Sequence, residues 1–186
     1  MSKRYAVLTY IFNGYENVHE IQEKDPDAEY ILITDDPNLT SSTWNIIYKP
    51  YKGYSTFDKC YDVRFNPFQF TNSPIIFRID GSIEIKKSLK PLIDIFEEQK
   101  RDRCLMIHPE RNTMKDEYDK WVEVRGYPQE QADKCLSFME QMGYDTVNYK
   151  GLFQGCLEIL RNNQINSCIN KHTYELLLKL GEDGKI

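Results

Sequence analysis

Short apolar runs separated by polar turns form the first half of the chain. The runs that have the length of buried strands are 5–11, 30–33, 44–48 and 75–79. The segments between them have helical or loop character, with a short helix predicted over 15–23, so the pattern predicts a largely parallel sheet with helices on both faces. Ser55 suits the N-cap of a helix over 55–63, and Asn66 and Pro67 would end it because proline cannot continue a helix.

The second half continues this alternation. It predicts helices over 89–99, 114–124, 128–142 and 173–180, and short strands over 104–107 (buried) and 157–160. Leu92, Ile95 and Phe96 would form the apolar stripe of the helix over 89–99. The last helix would have Leu176, Leu177 and Leu180 on its apolar side and would be closed by Gly181. No repeat or linker interrupts the pattern, so we expect one domain over 1–186. Residues 181–186 resemble a turn that leads onward, which fits either a frayed tail or a truncated form of a longer protein.

Charge and cysteine content narrow the class of protein. The 186 residues carry a formal net charge of -5, which argues against a nucleic-acid surface because such surfaces need a clustered basic face. The five cysteines form no CxxC pair and no signal peptide precedes them, which favours reduced thiols in a cytoplasmic protein. The first apolar run is too short to span a bilayer. Peripheral attachment to a membrane stays open.

Several common catalytic motifs are missing from the sequence. It contains no GxxxxGK[ST] loop, no GxGxxG after the first strand, and no GxSxG, HExxH or paired CxxC spacing. P-loop hydrolysis, a dinucleotide cofactor, a nucleophile elbow and these zinc sites are therefore disfavoured.

Polar residues follow several predicted strands at the point where each strand ends. They are Asn13, Asp35, Asp36, Asp80, Ser82 and His108. Because the carboxyl ends of parallel strands share one edge of a sheet, these side chains should converge. A carboxylate with a histidine there can hold Mg²⁺ or Mn²⁺ together with substrate phosphates, and such a metal neutralises a diphosphate leaving group. The alternative is that Asp80 merely forms a turn.

Six segments, taken in order, carry a family resemblance. They are TYIFNGY (9–15), YILITDD (30–36), WNII (44–47), KCYDVRFNP (59–67), IIFRIDGSI (75–83) and IHPER (107–111). Their order resembles a glycosyltransferase-like domain family of bacterial polysaccharide loci and of plant wall and mucilage proteins. More distantly, it resembles the GT-A nucleotide-sugar transferases. The resemblance covers essentially the whole chain.

The resemblance implies a GT-A-like α/β fold, with a mixed and mostly parallel sheet flanked by helices. It also implies transfer of a sugar from a nucleotide-diphosphate sugar to a glycan or lipid-linked acceptor in polysaccharide biosynthesis. Asp80 and His108 would be the catalytic and metal-binding residues, with Mn²⁺ or Mg²⁺ as cofactor. Ser82 stands where such enzymes have a second acid. The donor-binding residues would be Tyr10, Asn13, Asp35, Asp36, Lys59, Arg64, Ser82 and Gln154.

Other interpretations of these residues stay open. Lys59 and Arg64 either neutralise the diphosphate or belong to a solvated helix face, and His108 can be a structural histidine. Ser82 and the amide of Gln154 favour a rival function, a non-catalytic protein of the same fold that binds a nucleotide sugar or a glycan. A third candidate is an interaction domain without a small ligand. No catalytic base is identified, so the stereochemistry of transfer is undefined.

Overall fold

A computed structural model describes the backbone of residues 3–182 and the side chains of residues 3–178. Within this part of the chain, strands and helices alternate for most of the sequence. The strands are β1 Tyr5–Ile11, β2 Ala28–Thr34, β3 Asn45–Tyr48, β4 Ile75–Ile79, β5 Arg103–Ile107 and β6 Phe153–Arg161. The helices are α1 Thr56–Phe65, α2 Lys90–Glu98, α3 Met114–Arg125, α4 Gln129–Gln141 and α5 Gln164–Glu182.

The strands form one six-stranded sheet with the order β3-β2-β1-β4-β6-β5. β1 pairs in parallel with both β2 and β4, β2 pairs in parallel with β3, and β6 runs antiparallel to β4. The predicted fold class, a mostly parallel sheet flanked by helices, is therefore confirmed. The predicted ends of β1 and β4 match the structure because each strand is an uninterrupted apolar run bounded by polar residues.

Each face of the sheet packs against its own helix. Tyr5 and Val7 of β1 belong to a core that includes Ile93 and Phe96 of α2. The alternate residues of the same strand, Ala6 and Leu8, belong to a second core, which includes Val63 of α1. This alternation follows from the two-residue period of a strand. α1 consequently covers the face towards which the even-numbered residues of β1 point.

The chain divides into two compact units. The first contains the residues up to Leu105 together with Cys156–Tyr174, and the second contains Met106–Gly155 together with the chain from Glu175 onward. In the second unit, Tyr118, Ala132 and Cys135 of α3 and α4 are the buried centre of a separate apolar cluster. The expectation of one domain over 1–186 stays a prediction.

The helix predicted over 15–23 is wrong, since this segment has no regular secondary structure. Its polar groups bond to other parts of the chain instead of to each other. The Glu20 carboxylate accepts hydrogen bonds from the backbone amides of Ser42 and Thr43, at 3.1 and 3.0 Å. The carbonyl of His19 accepts a hydrogen bond from the Trp44 indole at 2.9 Å. These contacts replace the i to i−4 ladder of a helix.

The predicted apolar stripe of α2 is partly wrong. Phe96 is buried, but Leu92 and Ile95 are 46% and 56% exposed. The buried partner of Phe96 is Ile93, and Leu89 packs against the same core. Leu89, Ile93 and Phe96 follow an i, i+4, i+7 spacing, so the sequence contains two overlapping apolar stripes and the core selects the other one.

The strand predicted as buried over 104–107 exists, but its side chains are largely exposed because β5 lies last in the strand order. At the other end of the chain, α5 begins nine residues earlier than predicted and continues through Gly181 to Glu182. The side chain of Leu180, which the sequence places on the apolar side of this helix, lies outside the described residues. Residues 183–186, on which the choice between a frayed tail and a truncated protein depends, lie outside them as well. Among the described residues, no helix combines the length and hydropathy needed to cross a bilayer.

Candidate functional site

The carboxyl ends of β1, β2 and β4 lie side by side, because these strands are parallel neighbours. Tyr10 lies near the end of β1, Asp35 follows β2, and Asp80 follows β4. The edge of an open α/β sheet at which parallel strands end is where such folds bind ligands. This edge belongs entirely to the first unit.

Asp80 is fixed by the backbone around it. Its amide donates to the carbonyl of Cys156 at 2.9 Å, and its own carbonyl accepts from the amide of Ile83 at 3.0 Å. The following Gly81 passes so close to β1 that a Cβ there would lie 2.9 Å from the carbonyl oxygen of Tyr10. Only glycine fits this approach without a shift of backbone, so glycine at position 81 is a steric requirement of the turn.

Three side chains surround the Asp80 carboxylate, and together with it they form what we call the Asp80 cluster. The hydroxyl of Tyr10 donates to Oδ1 at 3.3 Å. Nη2 of Arg64 and Nη1 of Arg78 lie 3.6 and 3.9 Å from the same oxygen. Asp80 and Arg64 are 33% and 29% exposed, whereas Arg78 is 2% exposed. A partly accessible carboxylate therefore lies between a partly accessible guanidinium and a buried one.

A buried ion-pair chain lies behind the Asp80 cluster. Oε2 of Glu158 accepts from Nη2 and Nε of Arg78, at 3.0 and 3.2 Å. Oε1 of Glu158 pairs with Nε of Arg103 at 2.8 Å. Three guanidinium groups thus face two carboxylates, which leaves these five side chains with one net positive charge. Buried charges are tolerated when they are paired in this way.

The pKa values in the Asp80 cluster follow from burial and from this pairing. Burial raises the pKa of the Tyr10 hydroxyl, and this effect outweighs the neighbouring Arg64. Burial alone would lower the pKa of the Arg64 guanidinium, but Tyr10 and Asp80 raise it above its ordinary value. Burial also raises the pKa of the nearby Cys60 and Cys156 thiols. Both thiols are therefore protonated at neutral pH, when they are poor nucleophiles.

Lys59, Asn13 and Asp35 form a second group, the Lys59 cluster. The Lys59 ammonium is buried and donates to Oδ2 of Asp35 at 2.7 Å and to Oδ1 of Asn13 at 2.8 Å. The backbone amide of Asn13 donates to Oδ1 of Asp35 at 2.9 Å. Burial alone would raise the pKa of the Asp35 carboxyl. The hydrogen bonds from Lys59 and Asn13 lower it by more than burial raises it, so the pKa lies below its ordinary value. Lys59 thus ties α1 to the ends of β1 and β2.

The other predicted donor-binding residues do not join either cluster. Asp36 accepts a hydrogen bond from the amide of Asn38 at 2.8 Å, which is a turn contact. Ser82 is exposed. Gln154 is half-buried and belongs to the second unit. Their assignment to donor binding stays a prediction.

His108 also belongs to the second unit, where it is buried. Its Nδ1 accepts from the amides of Glu110 and Arg111, at 3.1 and 3.0 Å. Its Nε2 lies 3.0 Å from Nε of Arg111, and Arg111 also pairs with Glu117 at 2.8 Å. His108 is therefore bonded to the backbone of its own turn, and its assignment as a catalytic and metal-binding residue stays a prediction.

These residues do not fit a divalent cation. A protein site for Mg²⁺ or Mn²⁺ needs oxygen ligands and surplus negative charge, whereas Asp80 stands within 4 Å of two guanidinium groups. Two unit charges 4 Å apart interact by about 4 kcal/mol at an effective dielectric constant near 20, so each arginine strongly opposes a cation at that oxygen. Within residues 3–178, no three His, Cys, Asp or Glu side chains converge as a metal site would require.

Sequence reasoning missed Arg78 and Glu158, although a signal for both was present. Each is the single charged residue within an apolar strand run, IIFRI in β4 and LEIL in β6. A charge in a buried strand needs an opposite charge nearby. Two such strands, each with one charge of opposite sign, could have been paired from the sequence. The register in fact places Arg78 directly opposite Glu158.

The second unit contains an apolar cavity of about 850 Å³. None of the residues proposed from the sequence lines it. Its walls come from α3, α4, the segment 143–153 and α5, and its side chains are mostly aromatic, thioether or aliphatic, as in Tyr118, Phe138, Met139, Met142, Tyr149 and Leu177.

One solved structure similar to this chain is that of mouse xyloside xylosyltransferase 1 in its apo form. The TM-score is 0.50 at 10% sequence identity, and the alignment covers 96% of this chain and 74% of the xylosyltransferase. The two chains share a fold. This likeness confirms the GT-A-like architecture predicted from the sequence.

A second solved structure is 2-C-methyl-D-erythritol 4-phosphate cytidylyltransferase from Thermus thermophilus. It aligns with a TM-score of 0.34 and 8% identity, covering 91% of this chain and 98% of the cytidylyltransferase. No protein-family model matches the sequence, and no curated protein matches it either.

Proposed function

We propose that the protein is a glycosyltransferase, which takes a sugar from a nucleotide-diphosphate donor and passes it to a glycan or lipid-linked acceptor in polysaccharide biosynthesis. One observation carries this proposal. The Asp80 cluster lies at the carboxyl ends of the central parallel strands, in a sheet of GT-A-like architecture. A ligand bound there would meet a hydrogen-bond acceptor and one accessible guanidinium, that of Arg64, with the buried guanidinium of Arg78 behind them.

The chemistry of transfer matches these groups. When the bond between the sugar and the diphosphate breaks, negative charge grows on the departing phosphate oxygens. Positively charged side chains that are already oriented stabilise this charge, which is the usual source of electrostatic catalysis. The Asp80 carboxylate would accept hydrogen bonds from hydroxyl groups of the donor sugar. Holding donor and acceptor together supplies a further part of the rate enhancement.

The rival function is binding without transfer, in a protein of the same fold. Ser82 is exposed, and its hydroxyl is a weaker ligand than the carboxylate expected in its place. Such a protein would bind nucleotide sugars but would release no nucleoside diphosphate from them.

A two-stage experiment tests the proposal. Nucleotide sugars that carry UDP, GDP, CDP or ADP are first compared by thermal shift, with Mn²⁺ and with EDTA, because a ligand that binds the folded state raises the melting temperature. Release of nucleoside diphosphate is then measured for each ligand that binds. We expect binding, slow release by hydrolysis, and loss of release in Asp80→Asn.

The matched control is Asp119→Asn, because Asp119 forms an exposed ion pair with Lys115 on α3. It should behave as the wild type. A panel without any shift would refute the proposal, and binding without release would favour the non-catalytic rival.

A further inference from the structure

We propose that the donor diphosphate is held by Arg64, with Arg78 as a buried charge behind it, and that this binding needs no divalent metal. The inference rests on the proposed function and goes beyond it, since it names the group that recognises the phosphates. It also replaces the metal that the sequence led us to expect.

Arg64 lies where a ligand at the strand ends can reach it. This residue is in the last turn of α1, and its side chain, 29% exposed, lies beside the carboxylate that follows β4. The fork of N–H donors in a guanidinium matches two phosphate oxygens at once, which an ammonium cannot do. Lys59, the other cation that α1 supplies here, is buried and already bound to Asp35.

The contacts between Asp80 and its two arginines are loose. Oδ1 lies 3.6 Å from Arg64 and 3.9 Å from Arg78. A close charge-assisted bond between nitrogen and a carboxylate oxygen is about 2.7–2.9 Å long. By contrast, Arg78 is held tightly by Glu158, at 3.0 Å. Asp80 therefore does not hold Arg64 at the distance of a close charge-assisted bond, whereas Glu158 fixes Arg78 beneath the site.

The balance of charge favours an anion over a cation. Arg64, Arg78 and Arg103 outnumber Asp80 and Glu158 by one positive charge, and Arg78 and Glu158 are both buried. Arg64 and Arg78, the two cations within 4 Å of Asp80, outnumber its carboxylate by one, so the charges nearest the site attract an anion and repel a metal cation. The Asp80 carboxylate then accepts hydrogen bonds from the donor sugar and does not coordinate a metal.

Arginine binding and metal binding predict opposite effects of Asp80→Asn. If Asp80 held a metal, its loss would weaken the binding of nucleoside diphosphates. If Arg64 holds the phosphates, the loss of a neighbouring negative charge should leave this affinity unchanged or raise it, by up to about tenfold. The same variant should still lose donor turnover, because the contact to the sugar is gone.

The test is calorimetric titration with UDP, GDP, CDP and ADP, and with the monophosphate of the diphosphate that binds best. The wild type should bind that diphosphate in EDTA within about twofold of its affinity in Mn²⁺. Arg64→Gln should lower the affinity for the diphosphate at least tenfold, and should lower the affinity for the monophosphate less. Arg64→Lys should recover part of the loss. A merely structural role of Arg64 would weaken both nucleotides equally.

The control is Arg101→Gln, because the side chain of Arg101 is exposed and lies outside the Asp80 cluster. It should bind as the wild type does. Binding that improves tenfold or more with Mn²⁺, or that is lost in Asp80→Asn, would overturn this inference and leave the proposed function standing. No binding of any nucleotide or nucleotide sugar, with or without metal, would overturn both.

Discussion

At the scale of single residues, the site depends on how a few charges are paired. Glu158 is buried between Arg78 and Arg103, whereas Asp80 is partly accessible and lies near Arg64 and Arg78. The buried carboxylate contributes to the stability of the fold, and the accessible one can contact a ligand. Variants of the two carboxylates should therefore have different effects.

We expect Glu158→Gln to lower the free energy of unfolding by about 3–5 kcal/mol, since it leaves Arg78 buried without its counter-charge. Urea denaturation followed by circular dichroism measures this value. Glu130→Gln is the control, because it removes an exposed ion pair with Lys134, and its unfolding midpoint should equal that of the wild type. A small effect of Glu158→Gln would show that water or another group reaches Arg78.

Asp35 makes stability depend on pH at the acidic end. Its pKa is lowered in the folded state, chiefly because the bonds from Lys59 and Asn13 outweigh burial. The unfolded chain, with a value of about 3.9, therefore takes up a proton first. The stabilisation is complete above about pH 4 and is lost as the pH falls through the folded-state pKa.

The melting temperature of the wild type should accordingly fall below about pH 4, and Asp35→Asn should show a shallower fall over the same range. Scanning calorimetry from neutral pH down to about pH 3 makes this comparison. Parallel curves for the two proteins would contradict the role given to the Lys59 cluster.

At the scale of elements, α1 is the helix that supplies side chains to the site. It begins with a capping box in which Ser55 accepts from the amide of Asp58, and it supplies Lys59, Cys60 and Arg64. A second capping box, built from Thr113 and Asp116, begins α3 in the other unit. The two helices thus begin with the same kind of capping box, but only α1 carries residues of the Asp80 and Lys59 clusters.

Ser55→Ala should cost about 1 kcal/mol of stability, which is typical for loss of an N-cap. It should also weaken donor binding, because the start of α1 loosens near the Lys59 cluster. Thr113→Ala is the matched control, with a similar cost in stability and unchanged affinity for the donor. Equal loss of affinity in both variants, measured by calorimetric titration, would show that general destabilisation explains the effect.

Local signals explain which elements the sequence could predict. β1, β4 and α1 carry their own boundaries, as apolar runs with polar ends or as a capping residue followed by a proline stop. The prediction of a helix over 15–23 was wrong because this segment is held by long-range hydrogen bonds, from Glu20 and His19 to residues 42–44. Propensity within the segment contains no information about these partners.

At the scale of the whole molecule, alternation along the chain was enough to predict a mostly parallel sheet. The family resemblance assigned Tyr10, Arg64 and Asp80 to one donor site, and in the structure these three side chains lie together. The alternation did not predict that β6 runs antiparallel to β4, and this pairing brings Glu158 to Arg78. The positive character of the site comes from Arg64 and Arg78 beside Asp80, and the pairing supplies the carboxylate that allows Arg78 to be buried there.

The most direct test of donor binding at the Asp80 cluster is hydrogen exchange by mass spectrometry, with and without a saturating nucleotide sugar. We expect slower exchange in residues 9–15, 59–67 and 75–83, which contain the Asp80 cluster and the residues that frame it. The change should be absent from Arg64→Gln at the same ligand concentration. Binding that protects other segments and leaves these three unchanged would contradict the proposed site.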